Sequence, residues 1–185
     1  MTAAVTSNLA NRLTLIRLAL LPFIILLFFI PTAWAAWTCL VLYVLGALTD
    51  LLDGWVARKY AQTSAFGAAM DPIADKIFVV TVLLMLVATQ RMADVLTLAV
   101  IIILMREFLV AGLREFLGPK GISLPVTKLA KWKTATQMVA TGILIVGPWV
   151  SGGTLLGEAL LAISAGLTVV TGWGYIKASL PHISD

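Results

Sequence analysis

The chain reads Asp50-Leu51-Leu52-Asp53-Gly54-Trp55-Val56-Ala57-Arg58, then eight residues, then Gly67-Ala68-Ala69-Met70-Asp71-Pro72-Ile73-Ala74-Asp75-Lys76. Four carboxylates and three cations fall here in a sequence that is otherwise mostly apolar. On a helix, Asp50 and Asp53 share a face, and Gly54, Ala57 and Arg58 extend that stripe. Gly67, Asp71 and Asp75 form a second stripe at steps of four. Two helices with these stripes facing each other would gather four carboxylates in one small volume. Such a set suits hard divalent cations, which take oxygen ligands. Small residues (Gly46, Gly54, Ala57, Gly67, Ala68, Ala74) flank the acids. They permit close helix packing in a membrane, or approach of a flat ligand group to the backbone.

Apolar runs extend outward from this stretch on both sides. The chain has 185 residues, 61% hydrophobic and 12% charged, against about a quarter charged in soluble domains. The expectation is an all-α integral membrane protein, with six transmembrane helices in one bundle and one membrane-embedded domain over 1–185. Trp34 to Ala57 reads as the second span and Gly67 to Thr89 as the third. Pro72 is expected in the first turn of that third helix, where its missing N–H costs little. Before them, Leu18 to Ile30 is the first span, closed by Pro31. Residues Leu9 to Arg17 mix polar and apolar side chains and read as a short N-terminal juxtamembrane helix. A signal peptide with Arg12 and Arg17 as its basic region is disfavoured, because a second apolar run follows at once. Val95 to Leu117 is the fourth span. The fifth follows the basic segment Leu124 to Lys133 and ends near Gly147-Pro148. Thr154 to Tyr175 is the sixth.

Of thirteen Lys and Arg, twelve fall towards one face and only Arg91 towards the other. The positive-inside rule makes the first face cytoplasmic. Both termini and the Asp50–Asp75 region then face the cytoplasm of a multi-pass protein in the cell's inner, cytoplasmic membrane. Trp34, Trp37 and Trp149 read as belt residues at the opposite interface. The single Cys39 excludes an intramolecular disulfide and reads as a buried apolar residue, and the single His182 leaves no histidine-based triad or zinc site.

A carboxylate inside a span costs roughly 2.5–3.5 kcal/mol on insertion scales. Something must offset four of them: bound metal, the neighbouring Arg58, Lys59 and Lys76, or placement at the membrane edge. A second charged group follows on the fourth and fifth helices. Arg106 and Arg114 are eight apart and share a face well inside an apolar run, with Glu107 and Glu115 neutralising part of it. Lys128, Lys131 and Lys133 follow. These cations read either as inside-positive topology or as a phosphate pocket, since Arg forks onto phosphate and Lys acts as a point charge. The depth of the two arginines favours the pocket.

The eight fixed positions Asp50, Asp53, Gly54, Ala57, Arg58, Gly67, Asp71 and Asp75 resemble the signature of the CDP-alcohol phosphatidyltransferases. Asn11, Leu13, Thr14, Arg17 and Pro22 look like that family's N-terminal segment. Arg106-Glu107-Phe108, Leu113-Arg114-Glu115 and Lys131 to Met138 resemble its branch of bacterial phosphatidylglycerophosphate synthases. The resemblance covers roughly residues 8 to 145, and the last span matches only in hydrophobic character. It implies a six-helix membrane bundle, a homodimer, and two Mg²⁺ or Mn²⁺ ions. It also implies transfer of the phosphatidyl group from CDP-diacylglycerol to sn-glycerol 3-phosphate, giving phosphatidylglycerol phosphate and CMP. By position, Asp50, Asp53, Asp71 and Asp75 would be metal ligands, with Asp75 also the catalytic base. Asp50, Gly54, Ala57, Arg58 and Gly67 would bind CDP. Arg106, Arg114, Lys131 and Lys133 would hold the acceptor's phosphate. Membrane lipid is a partner on this reading, and nucleic acid is not.

Inositol phosphate would need the same clamp as glycerol 3-phosphate, whereas neutral serine would not. A small cation transporter would spread its acids through the membrane depth or pair them in inverted repeats. Here they cluster beside Gly and Arg.

Overall fold

The computed structural model describes residues 9–60, 65–122 and 124–182, with side chains over 13–49, 70–122 and 124–182. Every regular element among the described residues is helical. Among the described residues six α-helices run in chain order: α1 Leu9–Phe28, α2 Ala33–Tyr60, α3 Ala65–Ala88, α4 Thr97–Leu117, α5 Lys128–Val146 and α6 Gly153–Ser179. At 1.5 Å per residue they are about 28–42 Å long, enough to match a hydrocarbon core of about 30 Å. Among the described residues two helical segments, Asp94–Lys120 and Gly153–His182, are long and apolar enough on their own to cross a membrane. Shorter apolar stretches cover Leu13–Phe28 and Ala33–Thr49.

Local chemistry sets the ends. α1 stops at Phe28, and Pro31 follows where a helix cannot continue. Gly118-Pro119-Lys120 forms a 3₁₀ turn after α4, and Gly121 leaves it at φ 73°, a conformation suited to glycine. Thr127 caps α5, its hydroxyl accepting from the Ala130 N–H at 3.1 Å. Gly152 opens α6 at φ 72°.

Two expectations change. Residues 9–17 run unbroken into the first apolar run, so the juxtamembrane segment and the first span form the single helix α1. Pro72 is interior to α3 rather than in its first turn, because that helix starts at Ala65. It therefore leaves the Ala68 carbonyl without its usual donor beside the acidic stripe.

The core is apolar, yet large apolar side chains also cover the outside and polar residues are buried at helix contacts. Phe23, Leu26, Phe29, Met105 and Leu155 face outward, whereas Ser164, Thr168, Thr141 and Gln137 are buried. Two of these hydroxyls are satisfied one turn back, Thr141 donating to the Gln137 carbonyl at 2.8 Å and Thr168 to the Ser164 carbonyl at 2.7 Å, whereas Ser164 donates across to the Lys133 carbonyl of α5 at 3.3 Å. So much apolar surface turned outward is not stable in water, and small polar residues at helix contacts are a membrane feature.

The chain divides into two compact units, Met1–Thr89 and Gln90–Asp185. In the first, α1 packs on both α2 and α3. Cys39 is fully buried here, as expected. In the second, α6 packs on both α4 and α5. Its contact with α5 is close: a Cβ at Gly157 would lie 2.7 Å from Leu144 Cγ. Arg91, read as the lone cation of the far face, is buried. It donates from Nη1 to the Ile145 carbonyl at 2.7 Å and lies 5.0 Å from the Trp149 ring centre, capping the C-terminal end of α5.

Candidate active site

The first unit carries the acids. Asp50, Asp53, Gly54, Ala57 and Arg58 lie on the C-terminal half of α2, and Gly67, Asp71 and Asp75 on the N-terminal half of α3. The side chains of 50–69 fall outside the described residues. The register can still be followed from a contact one turn away. Phe78 of α3 stacks on Tyr43 of α2, with ring centres 5.7 Å apart, and its ring fills the space that a side chain at Gly46 would need. From Gly46, helical steps of three and four reach positions 50, 53 and 57; back from Phe78 they reach 75, 71 and 67. Both acidic stripes thus begin within a turn of an observed helix contact.

Asp71 and Asp75 are half-buried and one turn apart. The Thr14 hydroxyl of α1 donates to Asp71 Oδ1 at 2.6 Å. Lys76 Nζ stands 3.2 Å from Asp75 Oδ2, with both side chains partly exposed. An exposed pair of this kind is worth at most about 1 kcal/mol and yields readily to a stronger ligand. Arg17, one turn on from Thr14, is only 1% exposed. Oxygen donors at one-turn spacing are what Mg²⁺ or Mn²⁺ accepts, so the donor chemistry fits such a cation. Among the described residues alone no group of three potential ligands forms; Asp50 and Asp53 would have to complete the set.

The second unit carries the cations. Arg106 and Glu107 lie mid-way along α4, and Arg114 lies in its last turn, where a cation is favourable. Glu107 is buried and joins two of them. It accepts from Lys133 Nζ of α5 at 2.5 Å and from Arg106 Nη1 at 2.9 Å. Lys133 is 1% exposed. Arg106 keeps its Nε buried with no hydrogen-bond partner among the described residues. Tyr175 of α6 lies under both arginines, its ring centre 5.2 Å from the Arg106 guanidinium carbon and 5.4 Å from that of Arg114. Arg114 is exposed, contrary to its expected depth, and donates to the Tyr175 hydroxyl at 3.3 Å. Lys131 is exposed on a different face of α5 from Lys133, since two residues turn a helix by about 200°. The structure therefore gathers Arg106, Arg114 and Lys133 and leaves Lys131 outside that cluster.

Residues 7–170 match the model of the CDP-alcohol phosphatidyltransferase family. The chain belongs to that family. Its relatives include a protein of Cereibacter sphaeroides at 41% identity, over 96% of this chain and 98% of the relative. One of Rickettsia prowazekii is 46% identical over 94% and 96%, and one of Pseudomonas fluorescens 38% identical over 95% and 92%. Each bears the name CDP-diacylglycerol–glycerol-3-phosphate 3-phosphatidyltransferase. This phosphatidyltransferase is thus a membrane enzyme of phospholipid biosynthesis.

Four residues beside these clusters had no binding or catalytic role assigned from the sequence. Thr14 and Arg17 stood out only as family-like positions in a mixed polar segment. Glu107 read as partial neutralisation of Arg106, whereas it is the shared counter-ion of Arg106 and Lys133. Tyr175 gave no signal, because an aromatic near the end of an apolar run looks like an interfacial anchor.

Proposed function

We propose that this protein transfers the phosphatidyl group from CDP-diacylglycerol to sn-glycerol 3-phosphate, producing phosphatidylglycerol phosphate and CMP. The observation that carries the choice of acceptor is Arg106. Its guanidinium is oriented by Glu107 and Tyr175 and still has a buried N–H without a partner. An unsatisfied buried donor on a cation is costly unless an anion uses it, and the acceptor's phosphate is such an anion. The names of the relatives point to the same acceptor.

On this reading the acids serve the nucleotide end. Asp50, Asp53, Asp71 and Asp75 would hold two divalent cations, which would supply positive charge to stabilise the diphosphate and the leaving CMP. Thr14 holds one oxygen of Asp71, which fixes that carboxylate. Gly54, Ala57 and Gly67 admit the cytidine close to the backbone, with Arg58 near the diphosphate. Asp75 takes the proton from the acceptor's primary hydroxyl. That oxygen attacks the phosphorus bearing diacylglycerol, the new P–O bond forms, and the P–O bond to CMP breaks. Arg106, Arg114 and Lys133 hold the acceptor's phosphate, and Lys131 adds positive charge at the mouth.

The same reading has all 185 residues working as one membrane domain, with six spans and both termini in the cytoplasm, as a homodimer. The 28 residues of α2 exceed a 30 Å core by about 12 Å. With Trp34 at the far interface, Asp53 sits near the cytoplasmic edge, where an acid costs much less than at mid-depth. The test is CMP release by purified protein from CDP-diacylglycerol with glycerol 3-phosphate, inositol phosphate and serine in parallel. Glycerol 3-phosphate should be preferred by orders of magnitude; preference for either other acceptor overturns the proposal.

A further inference from the structure

The sequence resemblance stops near residue 145, and the family match ends at residue 170, within α6 and short of Tyr175. Yet α6 supplies the side chain on which both arginines converge. Arg106 and Arg114 are eight residues apart, about 12 Å of helix rise, and both guanidinium groups lie over the single ring of Tyr175. Tyr175 is itself buried and fixed at its far end, its hydroxyl donating to the Pro125 carbonyl at 3.3 Å while accepting from Arg114. Pro125 precedes α5, so one side chain links α4, α6 and the approach to α5. One turn earlier, Gly172 leaves room for the Arg106 stem: a Cβ there would lie 3.1 Å from Arg106 Cγ. Val110 and Ala130 complete a small core around Tyr175, with Leu124 against it.

We propose that Tyr175 is a positioning residue for acceptor recognition, holding Arg106 and Arg114 in one register for the phosphate of the second substrate. The inference rests on the assignment of those arginines to the acceptor. A guanidinium over an aromatic face keeps its N–H groups available, so the ring contacts use none of the donors and the Tyr175 hydroxyl takes only one, from Arg114. Without the ring, each long side chain regains rotamer freedom that the substrate must then remove on binding. The cost should therefore appear in acceptor affinity.

The test is steady-state CMP release by the full-length protein in detergent, with each substrate varied in turn. Tyr175→Leu should raise the KM for glycerol 3-phosphate by about ten-fold, from the loss of two cation–ring contacts. The KM for CDP-diacylglycerol and kcat should stay within about two-fold. Tyr175→Phe keeps the ring and loses only the hydroxyl bonds, so its rise should be about two- to three-fold. Gly172→Ala displaces Arg106 without altering Tyr175 and should raise the same KM. The double variant Arg106→Ala/Tyr175→Leu should show less than the product of the single effects. If Arg106→Ala itself leaves the glycerol 3-phosphate KM unchanged, the parent assignment of the arginines fails. If Arg106→Ala raises it while Tyr175→Phe, Tyr175→Leu and Gly172→Ala do not, or if these lower kcat or affect both substrates alike, the assignment stands and the role of Tyr175 is wrong. Should Tyr175→Leu not fold, Tyr175→Phe and Gly172→Ala decide the matter alone.

Discussion

The acidic and the basic halves of this enzyme solve the same problem in opposite ways. Each places charge in an apolar setting. In the first unit, carboxylates are set at helical spacing on α2 and α3, and the Lys76–Asp75 pair that opposes them is partly exposed and weak. Such an arrangement calls for cations from outside. In the second unit the charges are neutralised within the protein to all but a remainder: Glu107 serves both Lys133 and Arg106, and an aromatic ring supports two arginines. What is left is a modest positive excess with oriented donors. A site for metal and diphosphate needs dense charge that is silent until loaded. A site for a small soluble anion needs fewer charges, held firmly before the anion arrives.

The largest effect that sharpens this contrast is on the acidic side. Asp50→Asn and Asp71→Asn should each abolish nearly all CMP release, by about three powers of ten or more. Their thermal midpoints in detergent should remain near that of the wild type. Near-normal turnover with normal metal dependence in both variants would break the assignment of the acids.

Next in size is Glu107→Ala. It leaves Lys133 buried beside Arg106 without their shared counter-ion, and removing one partner of a buried pair costs about 3–5 kcal/mol. The expected result is a clear fall in the thermal midpoint, unlike the acid variants. An unchanged midpoint would mean that the second unit does not neutralise its charge as described.

The smallest effect concerns Thr14. Thr14→Val removes one hydrogen bond to Asp71, worth about 1 kcal/mol, or roughly five-fold. It should appear as a higher Mg²⁺ or Mn²⁺ concentration for half-maximal activity, with the glycerol 3-phosphate KM unmoved. A change in the latter alone would separate Thr14 from the acidic site.

Most helices were legible because hydropathy and the breakers Pro31, Gly118-Pro119 and Gly147-Pro148 mark their limits. The acids were legible because Asp50, Asp53, Asp71 and Asp75 repeat at helical steps on consecutive helices. The basic site was only half legible. Arg106 and Arg114 share a face by spacing, but the exposure of Arg114 depends on its place in the last turn of α4. Lys131 and Lys133 looked equivalent as neighbours in a basic run; only the packing of α5 on α6 and the Lys133–Glu107 ion pair show that one is buried and the other is not. Tyr175 could not be read at all, since its arginine partners lie more than sixty residues earlier and no local pattern records such a contact. Pro72 was placed by a rule for helix starts, and α3 begins earlier than its apolar run suggests.

The claim that the basic unit selects the acceptor is tested most directly by Arg106→Ala, with each substrate varied in turn. Losing one charge-assisted phosphate contact costs roughly 1.5–3 kcal/mol, or about one to two powers of ten. The account predicts that this loss falls on the KM for glycerol 3-phosphate, because the contact exists in the ground state as well as the transition state. The KM for CDP-diacylglycerol should hardly move, and Arg106→Lys should recover only part of the loss. A raised KM for CDP-diacylglycerol with an unchanged KM for glycerol 3-phosphate would contradict the account and assign Arg106 to the nucleotide or lipid side.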